Sequence, residues 1–364
     1  MKKVQAYLTV AVCGALILAL FAFAVLKPQD DISRSERRKL KKFPTLTVQT
    51  VLSGRFMSDF EDYASDQFPM RDIFRAVKTA AAVTVFRQSD INGLYKTDGH
   101  IVKCEYPLNR DSVQSAADKF RRIYEKYLTD GENSVYCCVI PDKNYFFAES
   151  SGHLAMDYSA AVEIIKNCGF MEYIDIFPLL DGDDYYKTDP HWRQECITDA
   201  AEKIAREMGA SLDTEYEAVT LDTPFYGAYS GQYAAKTNPD TMTYLTNDTI
   251  RGCTVYDYET DGRIAVYDLE KADGADMYEV FLSGPKSVQK IVNPMCETDK
   301  KLIIFRDSFG SSIAPLLISG YSEITLVDIR YISSGLIGKM VDFENAQVLF
   351  LYSTSVLNNS ETLK

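Results

Sequence analysis

Histidine, tryptophan and net positive charge are what this sequence has least of. Its 364 residues include three histidines and one tryptophan, and 52 acidic against 39 basic residues give a formal net charge of -13. Nucleic-acid binding requires clustered lysine and arginine that displace counterions from phosphates, so this balance argues against a nucleic-acid partner. No histidine pair stands at a metal-ligating spacing, and no glycine-rich phosphate loop occurs. We therefore expect no metal and no other cofactor.

The cysteines form no disulfide framework. Of eight cysteines, Cys13 lies in an apolar segment, and the remaining seven include no C-x-x-C pair. Cys137 and Cys138 are adjacent in a strand-like run, so their side chains point to opposite faces and cannot easily pair with each other. We expect mostly reduced, buried thiols. A disulfide between Cys253 and Cys296 is the alternative.

An apolar run without charge covers residues 6–26. At a rise of ~1.5 Å per residue, about 20 helical residues cross a hydrocarbon layer of ~30 Å. We interpret residues 1–27 as an uncleaved membrane anchor; the alternative is a signal peptide cleaved near residues 22–24. A basic run follows, comprising Lys27, Arg34, Arg37, Arg38, Lys39, Lys41 and Lys42.

The orientation of the anchor has two interpretations. The positive-inside rule places the basic run in the cytoplasm. A short Lys-Lys head before a large folded domain is instead typical of an exported protein, in which case the basic run lies on anionic headgroups. We predict an extracytoplasmic body held at the cell membrane, with the lipid bilayer as a partner.

The rest of the chain divides into two predicted regions. Residues 28–90 have helical periodicity in Phe56, Phe60 and Tyr63 and are predicted to form a stalk or cap. Residues 91–364 are predicted to form an α/β domain. Its predicted elements are a hairpin across Asp98-Gly99, strands at 134–140, 173–177, 301–306, 324–328 and 348–352, and helices at 112–128, 160–166, 190–208, 313–318 and 336–340.

This alternation predicts an open parallel sheet flanked by helices, whose functional sites lie beyond the carboxyl ends of the strands. Between about residues 215 and 298, short β-branched and tyrosine-rich runs with Gly and Asp turns predict an antiparallel β insertion.

Ser308 lies at the most informative strand-to-helix junction. It follows the predicted strand 301–306 and directly precedes an apolar helix. The N–H groups at the start of that helix favour negative charge, and Gly310 permits close backbone approach, so the junction provides an environment for an oxyanion. The alternative is that Asp307 and Ser308 only cap the helix.

A serine nucleophile needs a base, and the three histidines are the candidates. We expect His100, in a hairpin turn, and His153, in a loop, to be solvated at the surface. His191 follows Asp189-Pro190 at a predicted strand-loop-helix junction. A residue before proline is biased to an extended conformation, which brings the Asp189 carboxylate towards the imidazole and fixes one tautomer.

A position near a helix N-terminus also disfavours the cationic imidazole and keeps a neutral base available. The alternative is that Asp189 is the N-cap and Pro190 the first residue of a helix. The adjacent Trp192 is either a sugar platform or part of the core.

Several segments together resemble those of DHHW proteins, relatives of the alginate O-acetyltransferases with SGNH-hydrolase-like domains. The Asp-x-His-Trp and Asp-Ser-Phe segments are the most specific. Pro190 stands where the family has its first histidine, so that position is not required for chemistry in this chain. The segments span nearly the whole chain after the anchor: Asp66–Asp72, Asn92–Gly99, Pro141–Lys143, Lys187–Trp192, Pro224–Gly227, Arg306–Gly310 and Val327–Tyr331.

The resemblance implies an SGNH-hydrolase-like fold and a triad of Ser308, His191 and Asp189. By the same analogy Arg330 helps to bind the acyl oxygen or the substrate, unless it forms only a structural ion pair, and Tyr226 contacts the substrate. The resulting hypothesis is a serine-dependent O-acetyltransferase acting on a cell-surface polysaccharide, with a membrane-bound O-acyltransferase partner as acetyl donor. A carbohydrate esterase and a non-catalytic surface scaffold or assembly protein are the alternatives.

Overall fold

The computed structural model describes residues 2–33, 35–129 and 133–364. Arg34 of the basic run lies outside these residues. The chain forms two compact units, the first comprising residues up to 91 together with 230–236, and the second comprising 92–229 and 237–364.

The first unit begins with an apolar helix and continues with shorter elements. Residues 3–26 are long and apolar enough to cross a membrane, and their side chains are not covered by the rest of the chain. The predicted helical pattern begins later than residue 28, because a two-residue antiparallel ladder precedes it. The elements are α1 (Lys2–Leu26), β1 (Ile32–Ser33), β2 (Arg38–Lys39), α2 (Val48–Leu52), α3 (Arg55–Asp66) and α4 (Arg71–Ala80).

Carboxylates of the same unit neutralise part of the basic run. The Arg38 guanidinium binds Asp66, with Nη2–Oδ1 at 2.5 Å, and lowers the pKa of that carboxyl to about 2. Lys42 pairs with Asp31 at 2.8 Å, and Lys27 pairs with Asp30. The unpaired positive charge of the basic run is therefore smaller than the sequence alone indicates.

The second unit is built around an eight-stranded sheet with the order β10-β9-β11-β13-β12-β14-β5-β6. The strands β13, β12, β14, β5 and β6 are parallel to one another. The strands of the unit are β3 (Leu94–Thr97), β4 (His100–Lys103), β5 (Val135–Ile140), β6 (Glu172–Ile174), β7 (Glu217–Thr220), β8 (Thr243–Thr246), β9 (Thr254–Asp257), β10 (Gly262–Ile264), β11 (Val288–Val292), β12 (Lys301–Arg306), β13 (Glu323–Val327) and β14 (Ala346–Ser353).

Helices alternate with these strands along residues 92–364. They are α5 (Arg110–Tyr127), α6 (Lys143–Ser151), α7 (Tyr158–Lys166), α8 (Thr198–Glu207), α9 (Ala228–Tyr233), α10 (Asp248–Gly252), α11 (Gly310–Leu317) and α12 (Thr354–Asn358).

Alternate residues of β5 enter two different hydrophobic clusters. Cys138 packs with residues of α8 and α11, whereas Cys137 packs with residues of α5 and α7. Successive side chains of a strand point to opposite faces, so the two clusters are the two layers between sheet and helices. The predicted fold class, an open and mostly parallel sheet flanked by helices, is confirmed. Cys253 and Cys296 form no disulfide, so this alternative is not found.

The predicted antiparallel insertion is only partly a separate substructure. β7 and β8 form their own ladder, but β11 pairs with β13 and with β9, which pairs with β10. Three strands of this region therefore extend the central sheet. The local sequence pattern indicates antiparallel strands, but the sheet that they join depends on pairing with β13, which lies far along the chain.

The predicted helix at 190–208 begins later than expected, because α8 starts at Thr198. Residues 185–192, which we call the Asp-His loop, fold back on themselves instead. Tyr185 pairs with Trp192, and the Tyr186 N–H donates to the His191 carbonyl at 3.0 Å. His191 is therefore not at a helix N-terminus, and the predicted effect of a helix dipole on it is wrong.

Candidate active site

Ser308 lies just beyond the C-terminal end of β12 and is partly exposed. β12 is flanked by β13, the next strand in the chain, on one side and by β14 on the other. The direction of the connections reverses between these strands, and ligands of open α/β sheets bind at such switch points. The position predicted from the sequence is therefore the one that the topology favours.

The turn that carries Ser308 is held by the buried Asp307. One carboxylate oxygen accepts the Phe309 N–H at 3.0 Å, and the other accepts the Ser353 N–H at 2.8 Å, at the end of β14. The carboxylate thereby ties the turn to the neighbouring strand. Gly310 is needed for packing, since a Cβ there would lie 2.6 Å from the Cβ of Arg306.

The N–H groups at the start of α11 are used differently from the sequence prediction. The Gly310 N–H donates to the Asp307 carbonyl and the Ser311 N–H to the Ser308 carbonyl, both at 3.1 Å, and the Phe309 N–H donates to the Asp307 carboxylate. Within the part of the chain that the structure describes, the Ser308 N–H itself has no acceptor. The donor available to an oxyanion at this turn is therefore the N–H of the serine.

The side chains of Ser308, His191 and Asp189 form a continuous hydrogen-bonded series. The Nε2 atom of His191 lies 2.7 Å from the Ser308 Oγ, and its Nδ1 atom lies 2.5 Å from Asp189 Oδ1. Ser308 and His191 are 117 residues apart in the chain, and the fold brings them together. This geometry suits a proton transfer from the hydroxyl to the imidazole, with the carboxylate holding the Nδ1–H tautomer.

The Asp189 carboxylate is fully buried and uses both oxygens. Its Oδ2 atom accepts the Ala228 N–H at 2.8 Å, while Oδ1 also accepts the His191 N–H at 3.2 Å. The backbone of Gly227 passes so close that a Cβ there would lie 2.4 Å from the Asp189 Cβ. The carboxylate has no freedom to rotate away from the imidazole.

Two aromatic rings enclose the imidazole of His191. Tyr278 stacks on it with ring centroids 3.8 Å apart and an interplanar angle of 9°, and Phe309 packs at 4.9 Å. The Tyr278 hydroxyl donates to the Ser312 Oγ at 2.8 Å. Burial raises the pKa of Tyr278, so this phenol stays protonated. The imidazole is fixed by packing as well as by hydrogen bonds.

Ser312 fixes the aromatic residues around the site. Its hydroxyl oxygen accepts from Tyr278 and from the indole N–H of Trp192 at 2.7 Å, and its own proton is donated to the Phe309 carbonyl at 3.2 Å. A hydroxyl has one proton to donate and two lone pairs, so it is fully satisfied here. Trp192 is 0% exposed and belongs to the core, which is one of the two alternatives given for it, rather than forming a sugar platform.

The predicted substrate residue Arg330 is held by an ion pair. Its Nε and Nη2 atoms donate to the buried Asp328 at 2.9 and 2.7 Å. The fully buried Arg306 reaches the same carboxylate at 3.8 Å and donates to Gln289 at 3.2 Å. The structure thus contains the ion pair that was one of the two alternatives, and a contact of Arg330 with substrate stays a prediction.

Tyr226 is 53% exposed and directly precedes Gly227. It lies next in the chain to the backbone that contacts Asp189, and its contact with substrate stays a prediction.

Of the other two histidines, His100 differs from expectation. His100 is 1% exposed and packs on Phe147 with centroids 4.7 Å apart; its predicted surface position is wrong, because β4 lies under the Asp-His loop, with the Ile101 N–H donating to the Lys187 carbonyl at 2.8 Å. Burial lowers the pKa of His100 to about 4. His153 stacks on Tyr95 at 3.7 Å. Neither packs against Ser308.

Several residues that build the site have no local signal in the sequence. Tyr278 is one of 24 tyrosines, and no local pattern distinguishes it. Lys143 and Asp240 were not assigned to the site either, although both bind the backbone of the Asp-His loop. Pro141–Lys143 was among the segments with a family resemblance, which was the one available signal for Lys143.

The fold is similar to solved structures. A DHHW family protein from Eubacterium siraeum has a TM-score of 0.61 at 22% identity, over 75% of this chain and 95% of that chain. Bacillus cereus PatB1, in a structure with a sulfonyl adduct, has a TM-score of 0.59 at 16% identity, over 73% and 97%. The O-acetyltransferase domain of Pseudomonas putida AlgJ has a TM-score of 0.47 at 10% identity, over 73% and 92%.

No protein-family model and no curated protein sequence matches the chain. The first structure shows that this chain has the fold of a DHHW family protein, and the second has a similar fold. The resemblance noted in the sequence is confirmed at the level of fold.

Proposed function

We propose that this chain is a membrane-anchored, extracytoplasmic O-acetyltransferase that modifies a cell-surface polysaccharide through Ser308, His191 and Asp189. The observation that carries the proposal is the pair of short contacts on the two nitrogens of His191, 2.7 Å to Ser308 Oγ and 2.5 Å to Asp189 Oδ1. A serine activated by a histidine, itself oriented by a carboxylate, is the arrangement used for acyl transfer on several unrelated folds.

In the first half-reaction, His191 Nε2 takes the Ser308 proton while Oγ bonds to the carbonyl carbon of the acetyl donor. The carbonyl π electrons move to oxygen, and the Ser308 N–H stabilises that negative charge. The bond from the carbonyl carbon to the leaving-group oxygen then breaks, and His191 returns the proton to this oxygen. The products are acetyl-Ser308 and the deacetylated donor.

In the second half-reaction, a sugar hydroxyl takes the place of the serine hydroxyl. His191 takes its proton, the sugar oxygen bonds to the acetyl carbon, and the ester bond to Ser308 Oγ breaks as the serine regains a proton. Asp189 compensates the transient imidazolium charge in both halves. Water in place of the sugar releases acetate, which is the esterase reaction of the same site.

The membrane location rests on α1, whose apolar run over residues 6–26 is long enough to cross a bilayer and whose side chains the rest of the chain leaves uncovered. With the body outside the membrane, acetyl groups must come from a donor that crosses it. By the resemblance to DHHW proteins, that donor is a membrane-bound O-acyltransferase. Digestion of intact spheroplasts with an external protease tests the orientation: an extracytoplasmic body is cleaved, and a cytoplasmic body is protected.

The experiment that tests the chemistry is labelling of the full chain with a fluorophosphonate, followed by assays with an aryl acetate. The wild type is expected to be labelled, and Ser308→Ala is not. His191→Ala should abolish both labelling and aryl acetate turnover while the protein stays folded. Ser159→Ala, at an exposed serine of α7, is the matched control and should behave as the wild type.

Release of acetate with and without an added polysaccharide then separates transfer from hydrolysis. Acetyl groups recovered on the polysaccharide support the transferase, and acetate alone supports the esterase. A wild-type protein that is neither labelled nor active would leave the non-catalytic scaffold as the better explanation.

A further inference from the structure

Two of the three proposed catalytic residues lie on the Asp-His loop. One charged side chain binds the carbonyl groups of this loop, and a side chain of opposite charge binds its N–H groups. A loop is normally more mobile than the elements it connects, whereas proton transfer requires its groups within a few tenths of an ångström of the productive geometry. The groups that hold the loop are therefore part of what sets the position of His191.

The carbonyl groups of the loop are bound by Lys143, the first residue of α6. This lysine is 2% exposed. Its ammonium donates to the carbonyls of Tyr186 at 2.8 Å, Lys187 at 3.1 Å and Asp189 at 3.2 Å. It also reaches the Ile101 carbonyl in β4 at 2.6 Å. A buried ammonium is tolerated only where such acceptors replace its water.

The amide groups of the same loop are bound by a carboxylate. Asp240 Oδ1 accepts the Lys187 N–H at 2.7 Å, and Oδ2 accepts the Thr188 N–H at 2.8 Å and the Thr188 hydroxyl at 2.5 Å. The Thr188 hydroxyl oxygen accepts the Gly227 N–H at 2.8 Å. The carboxylate thus also fixes the segment that packs on Asp189.

Lys143 and Asp240 bind the loop directly before and at Asp189. Hydrogen bonds to charged groups are about twice as strong as neutral ones, and the two side chains have opposite charges. Without them, the Thr188 N–H and the carbonyls of Tyr186 and Asp189, all three in buried residues, would need other partners inside the protein.

We propose that Lys143 and Asp240 are a pair of positioning residues that clamp the Asp-His loop and hold the Asp189–His191 pair in line with Ser308. The inference deepens the proposed function and rests on it, because positioning has a kinetic effect only if these residues react. Neither residue touches the reacting atoms, so their contribution must be measured through the geometry of His191.

The environment of Lys143 contains a small number of charged groups. Asp189 and Asp240 are the carboxylates that face it, and His100 lies close enough for the ammonium to lower the pKa of that imidazole. The ring of Tyr229 lies 5.5 Å from the ammonium. The net attraction is towards the loop, because both carboxylates belong to the loop or bind it.

The test uses Lys143→Met and Asp240→Asn in the full chain, in detergent micelles. Asp257→Asn is the matched control: Asp257 is also a buried aspartate that holds a turn, accepting the Glu259 N–H at 3.0 Å and the Thr260 hydroxyl at 2.9 Å. It lies on β9, which carries no proposed catalytic residue. Two measurements are made on each protein, the kinetics of aryl acetate hydrolysis and the low-field proton resonance of the imidazole N–H that binds Asp189.

We expect Lys143→Met and Asp240→Asn to lower kcat about 100-fold, with KM changed by less than about threefold, since a misplacement of about 1 Å has effects of this size. Both should also shift or broaden the imidazole resonance. Asp257→Asn should lower the melting temperature and leave kcat and the resonance unchanged. If Lys143→Met does not fold, Asp240→Asn alone decides the outcome.

Unchanged kcat and an unchanged resonance in both variants would overturn the clamp. An equal loss of kcat in Asp257→Asn would overturn it too, because the loss would then report only general destabilisation. Failure of the proposed function can be distinguished from failure of the clamp. A wild type without turnover refutes the proposed chemistry, whereas the imidazole resonance still reports whether Lys143 and Asp240 order His191.

Discussion

The imidazole of His191 and the phenol ring of Tyr278 are stacked almost in parallel, with centroids 3.8 Å apart. Tyr278 lies in a short 3-10 helix (Met277–Val280), 87 residues beyond His191 in the chain, and its hydroxyl donates to Ser312 in α11. The stack covers one face of the imidazole and leaves its two nitrogens aligned with Ser308 and Asp189. Packing of a residue that does not react thus restricts the orientation of one that does.

Replacing Tyr278 tests this restriction. Tyr278→Leu removes the ring and should lower kcat for aryl acetates about 10-fold, because His191 gains rotational freedom, and should cost about 3 kcal/mol of stability as a large-to-small change in a packed region. Tyr278→Phe keeps the ring and should retain most of kcat. Steady-state kinetics and denaturant unfolding measure the two effects; equal kcat in the Leu and Phe variants would contradict a role for the ring.

Asp189→Asn should lower kcat about 10⁴-fold, as loss of the tautomer-holding carboxylate does in serine proteases. An amide has one accepting oxygen, whereas Asp189 accepts from His191 on one oxygen and from Ala228 on the other. The protein should stay folded, since the side chain keeps its shape. Circular dichroism and the rate of fluorophosphonate labelling check the two expectations, and a variant with wild-type labelling would remove Asp189 from the mechanism.

Gly227→Ala should damage the site without touching a reacting group. The new Cβ would lie 2.4 Å from both the Asp189 Cβ and the Thr188 carbonyl oxygen. Overpacking of this kind costs about 1–3 kcal/mol, and displacement of Asp189 should lower kcat about 100-fold. Gly262→Ala is the control, because its nearest atoms lie 3.7 Å away. Gly227→Ala should have a lower kcat and a lower melting temperature than Gly262→Ala. Similar values in the two variants would show that the loop adapts to the methyl group.

The activity should fall in mildly alkaline solution while the protein stays folded. Burial lowers the pKa of Lys143 to about 7 from an ordinary value of 10.5. Above about pH 7 the folded chain loses this proton. The neutral amine then has two N–H groups, where the ammonium has three, to donate to the four carbonyls around it. We therefore expect kcat to decline as the pH rises through this value.

The effect of the same group on stability has the opposite sign. Between the folded value of about 7 and the ordinary value of 10.5, the unfolded chain retains a proton that the folded chain has lost, so the Lys143 contribution to stability rises with pH. Profiles of kcat and of melting temperature against pH, for the wild type and Lys143→Met, separate the two. An alkaline decline that persists unchanged in Lys143→Met would exclude this lysine as its source.

Local sequence was sufficient for much of the architecture. Strand 301–306 was predicted with the bounds that the structure has for β12, because a continuous run of buried apolar residues is read directly from the chain. The junction after it placed Ser308 at the correct edge of the sheet. Asp189 and His191 could be paired in advance because they are two residues apart and the residue before a proline is extended.

Predictions from the sequence are incomplete or wrong where a residue's environment comes from distant parts of the chain. Asp189-Pro190 suits a helix start as well as a loop, and the structure selects the loop because Lys143 and Asp240 bind its backbone. From the sequence we expect His100 at the surface, and Trp192 either as a sugar platform or in the core. Both are buried, because burial depends on what packs over a residue. Strands β9 to β11 join the central sheet by pairing with one another and with β13, and a local pattern does not specify such pairing.

The sequence by itself determined the apolar N-terminal helix, the parallel strands and the identity of the serine and histidine that chemistry could use, because periodicity and residue type are local properties. Only the tertiary structure decided that Ser308 Oγ and His191 Nε2 lie 2.7 Å apart, that Tyr278 packs on the imidazole, and that Lys143 and Asp240 bind the backbone of its loop. Such convergence is set by the pairing and packing of elements far apart in the chain, which no local pattern contains.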